Sequence, residues 1–262
     1  MSTALFVFAH QDDEVMMAPR IDFERLRGAD VYCVYLTDGG ARARPGARDR
    51  ESVRALARLG IESGRILFLG SRRPIRAGEL VSRLDVALED LEGWMSGVDA
   101  GPVYCPAWEG GNPDHDAAQL VAAAFAQRRG ALDRCAELPL YHGFGTIGPM
   151  FRTMSPLPPR DAWATRRFSS RDGMRYVALP FCFPSQWRTW LGLFPSSFLR
   201  LAVVRREVIR PVDVTRYGAR PHAGELFYER RFRYPWSRFA DATGSFVARH
   251  FESGGSSRAV LS

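Results

Sequence analysis

Through residue 145, short apolar runs of strand length alternate with segments whose apolar residues recur at helical spacing, and this alternation restricts the fold more than any other feature. Leu5–Ala9, Val31–Leu36, Ile66–Leu69 and Val103–Cys105 are the strand candidates, with Leu138–His142 as a fifth. Ile21–Leu26, Arg48–Leu59, Glu79–Trp94 and Asp114–Arg129 carry the helical period, and in the second of these Val53, Leu56, Ala57 and Leu59 are expected to face the sheet. Strands separated by helices of this length need right-handed crossovers, and therefore a parallel sheet. The expected fold is α/β: a Rossmann-like, mainly parallel sheet with helices on both faces and an irregular C-terminal cap.

Beyond residue 145 the alternation fades. Pro149, Pro156, Pro158 and Pro159 punctuate a loop; Arg175–Leu179, Leu201–Val208 and Glu225–Arg231 are predicted strands, Gln186–Phe194 a short helix and Trp236–Phe251 a closing helix. The expectation is one domain over 1–252, with a core at 1–145, a cap at 146–252 and a flexible Gly/Ser-rich tail at 253–262. The most apolar stretch, Trp190 to Val204, is interrupted by Pro195 and Arg200 and is too short to span a bilayer. A buried helix or a lid is expected there in preference to a membrane-surface contact.

Charge narrows the ligand classes. The 36 basic residues outnumber 29 acidic ones, giving +7, and every basic residue is arginine. GC-rich codon usage accounts for the absence of lysine, while the positive excess favours anionic ligands such as phosphates. No basic run is interleaved with stacking aromatics, so nucleic acid is not an expected partner. Cys33, Cys105, Cys135 and Cys182 lack close spacing, which fits a reducing cytoplasm, and no signal peptide is evident.

The chemistry concentrates where parallel sheets bind ligands, beyond the carboxyl ends of the strands. Ala9-His10-Gln11-Asp12-Asp13-Glu14 follows the first strand, Thr37-Asp38-Gly39-Gly40 the second, Trp108–Asp116 the fourth, and His142 the fifth. An imidazole beside adjacent carboxylates is costly unless the charges coordinate something. His10, Asp13 and His115 supply the three nitrogen and oxygen donors typical of a catalytic zinc site, with Fe²⁺ suiting the same donors. Asp12, beside a ligand, is left free to act as general base on a water whose pKa a metal lowers to roughly 7. Glu14 is expected behind the ligands or as an acceptor in the first helical turn, and Trp108 at the pocket edge, where an aromatic face suits a sugar ring. Gln186, Trp187 and Trp190 could border the pocket, although aromatic packing of the cap is the better expectation. His222 and His250 have no partners in sequence and are taken as structural or surface residues.

The first segment resembles the Ala-His-Pro-Asp-Asp-Glu motif of the PIG-L/LmbE-like zinc deacetylases, and Gly110-Gly111-Asn112-Pro113-Asp114-His115 resembles that family's Gly-Gly-His-Pro-Asp-His motif. Arg48-Asp49-Arg50-Glu51 looks like its Arg-x-x-Glu helix, and the likeness covers about residues 4–145. The resemblance implies removal of an N-acetyl group from a GlcNAc-containing substrate, with His10, Asp13 and His115 holding zinc, Asp12 as base, Arg48 gripping a phosphate or sugar hydroxyl, and Asp114 supporting a ligand from behind. Two positions depart from it. Gln11 replaces a proline, and Asn112 stands where the family has a histidine that is implied to polarise the amide carbonyl. Asn112 can still donate to an oxyanion, whereas loss of such a donor costs on the order of 3 kcal/mol. His142 is the candidate to fill the gap.

The expected function is thus metal-dependent N-deacetylation of an amino sugar or glycoconjugate. The alternatives are an amidase for a larger acyl or thiol-conjugated amide, and a binding protein whose catalysis has weakened at Asn112. A nucleotide-binding protein is disfavoured, because no Gly-x-Gly-x-x-Gly turn follows the first strand.

Overall fold

The computed structural model describes residues 2–40, 46–99 and 101–252, so the expected tail at 253–262 lies outside the described residues. In chain order the elements are β1 (Thr3–Phe8), α1 (Glu14–Leu26), β2 (Asp30–Tyr35), α2 (Ala47–Arg58), β3 (Ile66–Phe68), the single turn α3 (Leu69–Arg72), α4 (Leu84–Trp94), β4 (Val103–Pro106), α5 (Pro113–Arg128) and β5 (Cys135–Leu138). The cap adds β6 (Tyr141–His142), β7 (Arg152–Thr153), β8 (Ala164–Arg167), α6 (Ser170–Val177), α7 (Trp187–Phe198), β9 (Arg206–Pro211), α8 (Phe227–Phe232) and α9 (Trp236–Val247).

Seven strands form one sheet in the order β3-β2-β1-β4-β5-β9-β8. The first five are parallel, and β9 and β8 extend the sheet antiparallel beyond β5. This is the expected α/β architecture. Strand β1 is buried along its whole length, as a strand covered on both faces must be. Its alternation divides the core. Leu5, Val7 and Ala9 pack with α4, α5 and α9, while Phe6 and Phe8 pack on the other face with Val15 and Ile21 of α1 and Leu56 of α2. Because the strand order runs outward in both directions from β1 and β4, their carboxyl ends flank the crevice where doubly wound sheets bind ligands.

Several expected elements differ. Helix α1 begins at Glu14, seven residues before the expected Ile21, and accommodates Pro19 inside it. Of the residues expected to face the sheet from α2 and its end, Leu56 and Leu59 are buried and Val53 half-buried, whereas Ala57 is exposed and Ala55 is buried in its stead. The fifth sheet strand is Cys135–Leu138, and the predicted Leu138–His142 instead leads into the separate two-stranded β6–β7 hairpin. Arg175–Leu179 is helical, not a strand: Ser169 caps α6 by accepting from the Asp172 amide at 3.1 Å, and Gly173, Tyr176 and Val177 are buried at helical spacing. Glu225–Arg231 is likewise helical over α8, where Glu229 reaches back to accept from the Leu226 amide at 2.8 Å. Helix α7 runs through Pro195 to Phe198 and continues in a wider π-type turn to Val204, so only Arg206 onward of the predicted strand 201–208 is extended.

A buried ionic cluster fixes the far side of the central sheet. Glu137 on β5 accepts from the Trp108 amide and Gln119, and it pairs with Arg210 of β9 and with Arg216 at 3.2 Å. It thereby ties the loop after β4 to the added antiparallel edge.

Candidate metal centre and active site

The loop between β1 and α1 is built around carboxylates that accept backbone amides. Asp13 Oδ2 accepts from the amides of Ala9 at 3.0 Å and His10 at 2.9 Å, which closes the turn and aims Oδ1 outward. Asp12, between these ligand candidates, has φ of 108°, a backbone state that costs a residue with a side chain of order 1–3 kcal/mol. Its amide donates to Glu14 Oε2 at 2.8 Å, and its carboxylate lies 3.1 Å from Arg48 of α2. Arg48 also donates to the Gln11 carbonyl. Gln11 in turn reaches the Thr37 carbonyl and Asp49, passing so close to Gly39 that a Cβ there would lie 2.0 Å from its Oε1. With φ of 72°, Gly39 is suited to the position on both counts.

The second loop is set by the start of α5. Asn112 is the N-cap, its Oδ1 accepting from the Asp114 amide at 2.8 Å, with Pro113 in the first helical turn. Gly111 packs against β6, where a Cβ would lie 1.8 Å from the Tyr141 carbonyl oxygen. Asp116 accepts from the amides of Glu109 and Gly110 at 3.2 Å, and Glu109 accepts from the amides of Leu140 and Tyr141.

These two loops bring His10, Asp13 and His115 together, their ligand atoms all within 4.8 Å of one another and all three residues buried. His115 Nε2 lies 3.1 Å from Asp13 Oδ1 and 3.3 Å from His10 Nδ1. His10 Nε2 lies 3.0 Å from Asp114 Oδ2, which also accepts from Gly78, while Asp114 Oδ1 accepts from the Leu80 amide. A carboxylate only accepts, so His10 carries its proton on Nε2 and turns the bare lone pair of Nδ1 toward His115. His10 Nδ1, Asp13 Oδ1 and His115 Nε2 thus present three lone-pair-bearing atoms to one point when His115 carries its proton on Nδ1, and His115 Nδ1 has no hydrogen-bond partner among the described residues. The donor set therefore fits a divalent ion of the zinc or iron(II) type.

Electrostatics agree with this crowding. Burial works against charge on His10, yet the Asp114 hydrogen bond and the Asp13 and Asp114 charges hold its pKa above the ordinary value. Burial also opposes ionisation of Asp13, but His115 and His10 hold its carboxyl below the usual range. Burial raises Asp12 to about 6, against the pull of Arg48, and raises Glu14 to about 7.

The centre opens into a cavity of about 220 Å³ whose wall includes Asp12, Arg48, Asn112, Tyr141, Gln186 and Trp190. Arg48 and Gln186 also border an adjoining cavity with Trp187 and Arg188. Two expected residues are elsewhere. Trp108 is buried in the core on the α9 side, its indole Nε1 donating to the Ala219 carbonyl and its ring against Tyr217, Trp236 and Phe239. It belongs to the same side of the sheet as Cys105 and faces the closing helix. His142 is buried with both ring nitrogens engaged, Nε2 with the Ser155 carbonyl at 3.0 Å and Nδ1 with the Phe144 amide at 3.2 Å. Burial depresses its pKa to about 4, so it is a neutral structural histidine and not a cavity group. The residue missed is its neighbour. Successive strand residues point to opposite sides, so β6 turns Tyr141 into the cavity and His142 away. Asn112 Nδ2 donates to the Tyr141 hydroxyl at 3.3 Å, and burial raises the phenol pKa, keeping it a neutral donor.

A doubly wound sheet with a His-Asp-His donor set at its switch point defines the class. Residues 5–126, which span both motifs, match the family model described as PIG-L, GlcNAc-PI de-N-acetylase. Over that segment the resemblance seen in the motifs is borne out. No curated protein matches the chain in sequence. Among solved structures, the chain is similar to Dbv21, the A40926 pseudoaglycone deacetylase, at 17% identity and TM-score 0.59, covering 85% of this chain and 99% of that one. It is similar to the N,N'-diacetylchitobiose deacetylase from Pyrococcus horikoshii at 19% identity and TM-score 0.56, covering 85% and 88%. It is also similar to the zinc-inhibited form of teicoplanin deacetylase Orf2 at 12% identity and TM-score 0.57, covering 81% and 99%. At these identities the likeness establishes a shared fold.

Proposed function

We propose that this protein is a metal-dependent N-deacetylase acting on an N-acetylated amino sugar or a conjugate that carries one. The observation that carries this reading is the convergence of His10, Asp13 and His115 beside the unliganded carboxylate of Asp12, at the mouth of a cavity that fits a small polar group. The PIG-L match and the described activities of Dbv21 and the chitobiose deacetylase support the choice of an acetamide over other carbonyl substrates.

His10, Asp13 and His115 would hold the ion, which supplies Lewis acidity to a carbonyl oxygen and to water. Asp12, steadied by Arg48, takes a proton from the attacking water and returns it to the departing nitrogen. The carbonyl carbon gains a bond to oxygen and loses its bond to nitrogen, so one water is consumed and acetate and a free amine leave. Tyr141, held by Asn112, donates a hydrogen bond to the carbonyl oxygen as it gains charge, the part implied for the histidine that Asn112 replaces. Arg48 and Arg188 give the adjoining cavity a positive wall suited to an anionic part of the substrate.

Acetate release from a panel of N-acetylhexosamine derivatives, with longer N-acyl analogues beside them, tests the reading. Activity is expected to vanish on chelation and return with zinc or iron(II). Asp12→Asn is expected to retain the metal and slow turnover by about 10²–10⁴-fold. Turnover that survives complete metal removal would exclude the mechanism, and preference for a longer acyl group would move the assignment to an amidase.

A further inference from the structure

Helix α7 is apolar on two sides. Trp190 and Leu193 face inward, the first against the catalytic cavity and both buried. Trp187, Leu191, Pro195 and Phe198 recur at helical spacing along a second stripe that faces out, with Trp187 58% and Leu191 71% exposed. A contiguous apolar stripe is normally covered, and this one is exposed. Phe181, 74% exposed, lies beside it across an apolar groove of about 450 Å³, and Leu199 and Val203 extend the exposed surface past the helix end.

The exposed charges along this surface are mainly positive, and Glu51, which accepts from Ser185, is buried. Residues 173–206 contain five arginines and no acidic residue. Arg54 and Arg58 of α2 share a hollow with Phe181 and Pro184, Arg188 stacks on Trp187 with its guanidinium 5.2 Å from the ring centroid, and Arg200 follows the far end. The charges of Arg152 and Arg160 act on Arg200. None of these six arginines forms an ion pair among the described residues. An acidic protein surface could answer the charges, but an apolar stripe with protruding Trp, Phe and Leu inside a ring of unpaired arginines matches the boundary between anionic headgroups and acyl chains.

We propose that the α7 surface, from Phe181 to Val203, docks this protein on anionic lipid bilayers. No helix among the described residues is long and apolar enough to cross a membrane, so the contact is peripheral. Because Thr189, Trp190 and Leu193 of the same helix line the cavity, docking sets the cavity mouth next to the headgroup layer.

Co-sedimentation of the full chain with vesicles of phosphatidylcholine alone, and of equimolar phosphatidylcholine and phosphatidylglycerol, tests the proposal. Strong binding is expected only to the anionic vesicles, weakening as salt is raised. Arg54→Gln/Arg58→Gln is expected to weaken it about 25-fold, at about fivefold per arginine, and Phe181→Ser/Leu191→Ser by at least about tenfold. Should the serine variant fail to fold, Trp187 decides: its emission, taken as the difference between wild type and Trp187→Phe, should shift to the blue on anionic vesicles and be quenched by brominated acyl chains. No binding of the wild type to anionic vesicles, or a folded serine variant that binds unchanged, overturns the proposal. So does a wild-type dimer that Leu191→Ser converts to monomer, since a second copy would then cover the stripe.

Discussion

Asp114 does not line the catalytic cavity, yet it determines which His10 nitrogen faces the candidate metal site. All three of its partners are N–H groups: His10 Nε2 at 3.0 Å and Gly78 on one oxygen, and Leu80 at 3.2 Å on the other. Asparagine keeps the shape but replaces one acceptor with a donor. With its carbonyl toward His10, its amide meets the Leu80 N–H, leaving a buried donor unpaired at about 1–3 kcal/mol. With the amide turned toward His10, the imidazole must move its proton to Nδ1, the atom 3.3 Å from His115, and the metal loses a lone pair. Loss of such a supporting contact typically weakens metal affinity by about 10–100-fold, or about 1.4–2.7 kcal/mol. Asp114→Asn should therefore bind zinc about 10–100-fold more weakly in competition with a chromophoric chelator, and its apo form should melt lower. Turnover at saturating zinc should recover most of the wild-type value, since the three ligands and Asp12 persist. A folded variant with unchanged zinc affinity would refute the argument that Asp114 sets the His10 tautomer.

Three further outcomes follow from the same geometry. Tyr141→Phe should lower kcat by about 10²–10³-fold with metal content intact, whereas His142→Gln should leave neutral-pH turnover near wild type; steady-state kinetics of the pair separates them. Because His142 is depressed from 6.5 to about 4, its neutral form stabilises the fold fully above pH 6.5 and that stability is lost as pH falls toward 4. The unfolded state takes up the proton first, so the loss reaches about 3 kcal/mol, and urea melts of His142→Gln should show a flatter pH dependence across this window. Glu137→Ala leaves Arg210 buried without its partner and should cost about 3–5 kcal/mol, lowering Tm by roughly 10 °C in calorimetry.

The first half of the fold was legible because its strands are covered on both faces. Continuous apolar runs such as Leu5–Phe8, separated by long helical periods, leave few topologies once right-handed crossovers are required. The cap offered no such constraint. Arg175–Leu179 and Glu225–Arg231 are short apolar-containing runs that suit either period, and the polar contacts that made them helices, Ser169 with the Asp172 amide and Glu229 with the Leu226 amide, lie at or beyond the edges of the apolar pattern. Helix α7 misled in another way. Apolar composition implied burial, and only the three-dimensional course shows that one of its apolar sides is exposed.

At the site, residues adjacent in sequence and carrying charge were legible as candidates, while side-chain direction was not. His10, Asp13 and His115 are found together because each ends a strand or begins a helix at one crevice, a placement that follows from topology alone. Trp108 and His142 also follow strand ends, but a single residue of register decides whether such a side chain enters the cavity or the core. Chemistry favoured the histidine, and register favours Tyr141. The substitution at Asn112 then has a physical consequence on each side of the loop. As an N-cap, asparagine fixes the first turn of α5 and with it the placement of Asp114 and His115. Its amide, left over from capping, meets the Tyr141 hydroxyl on the wall of the cavity, so the motif departure and the missed tyrosine are two ends of one hydrogen bond.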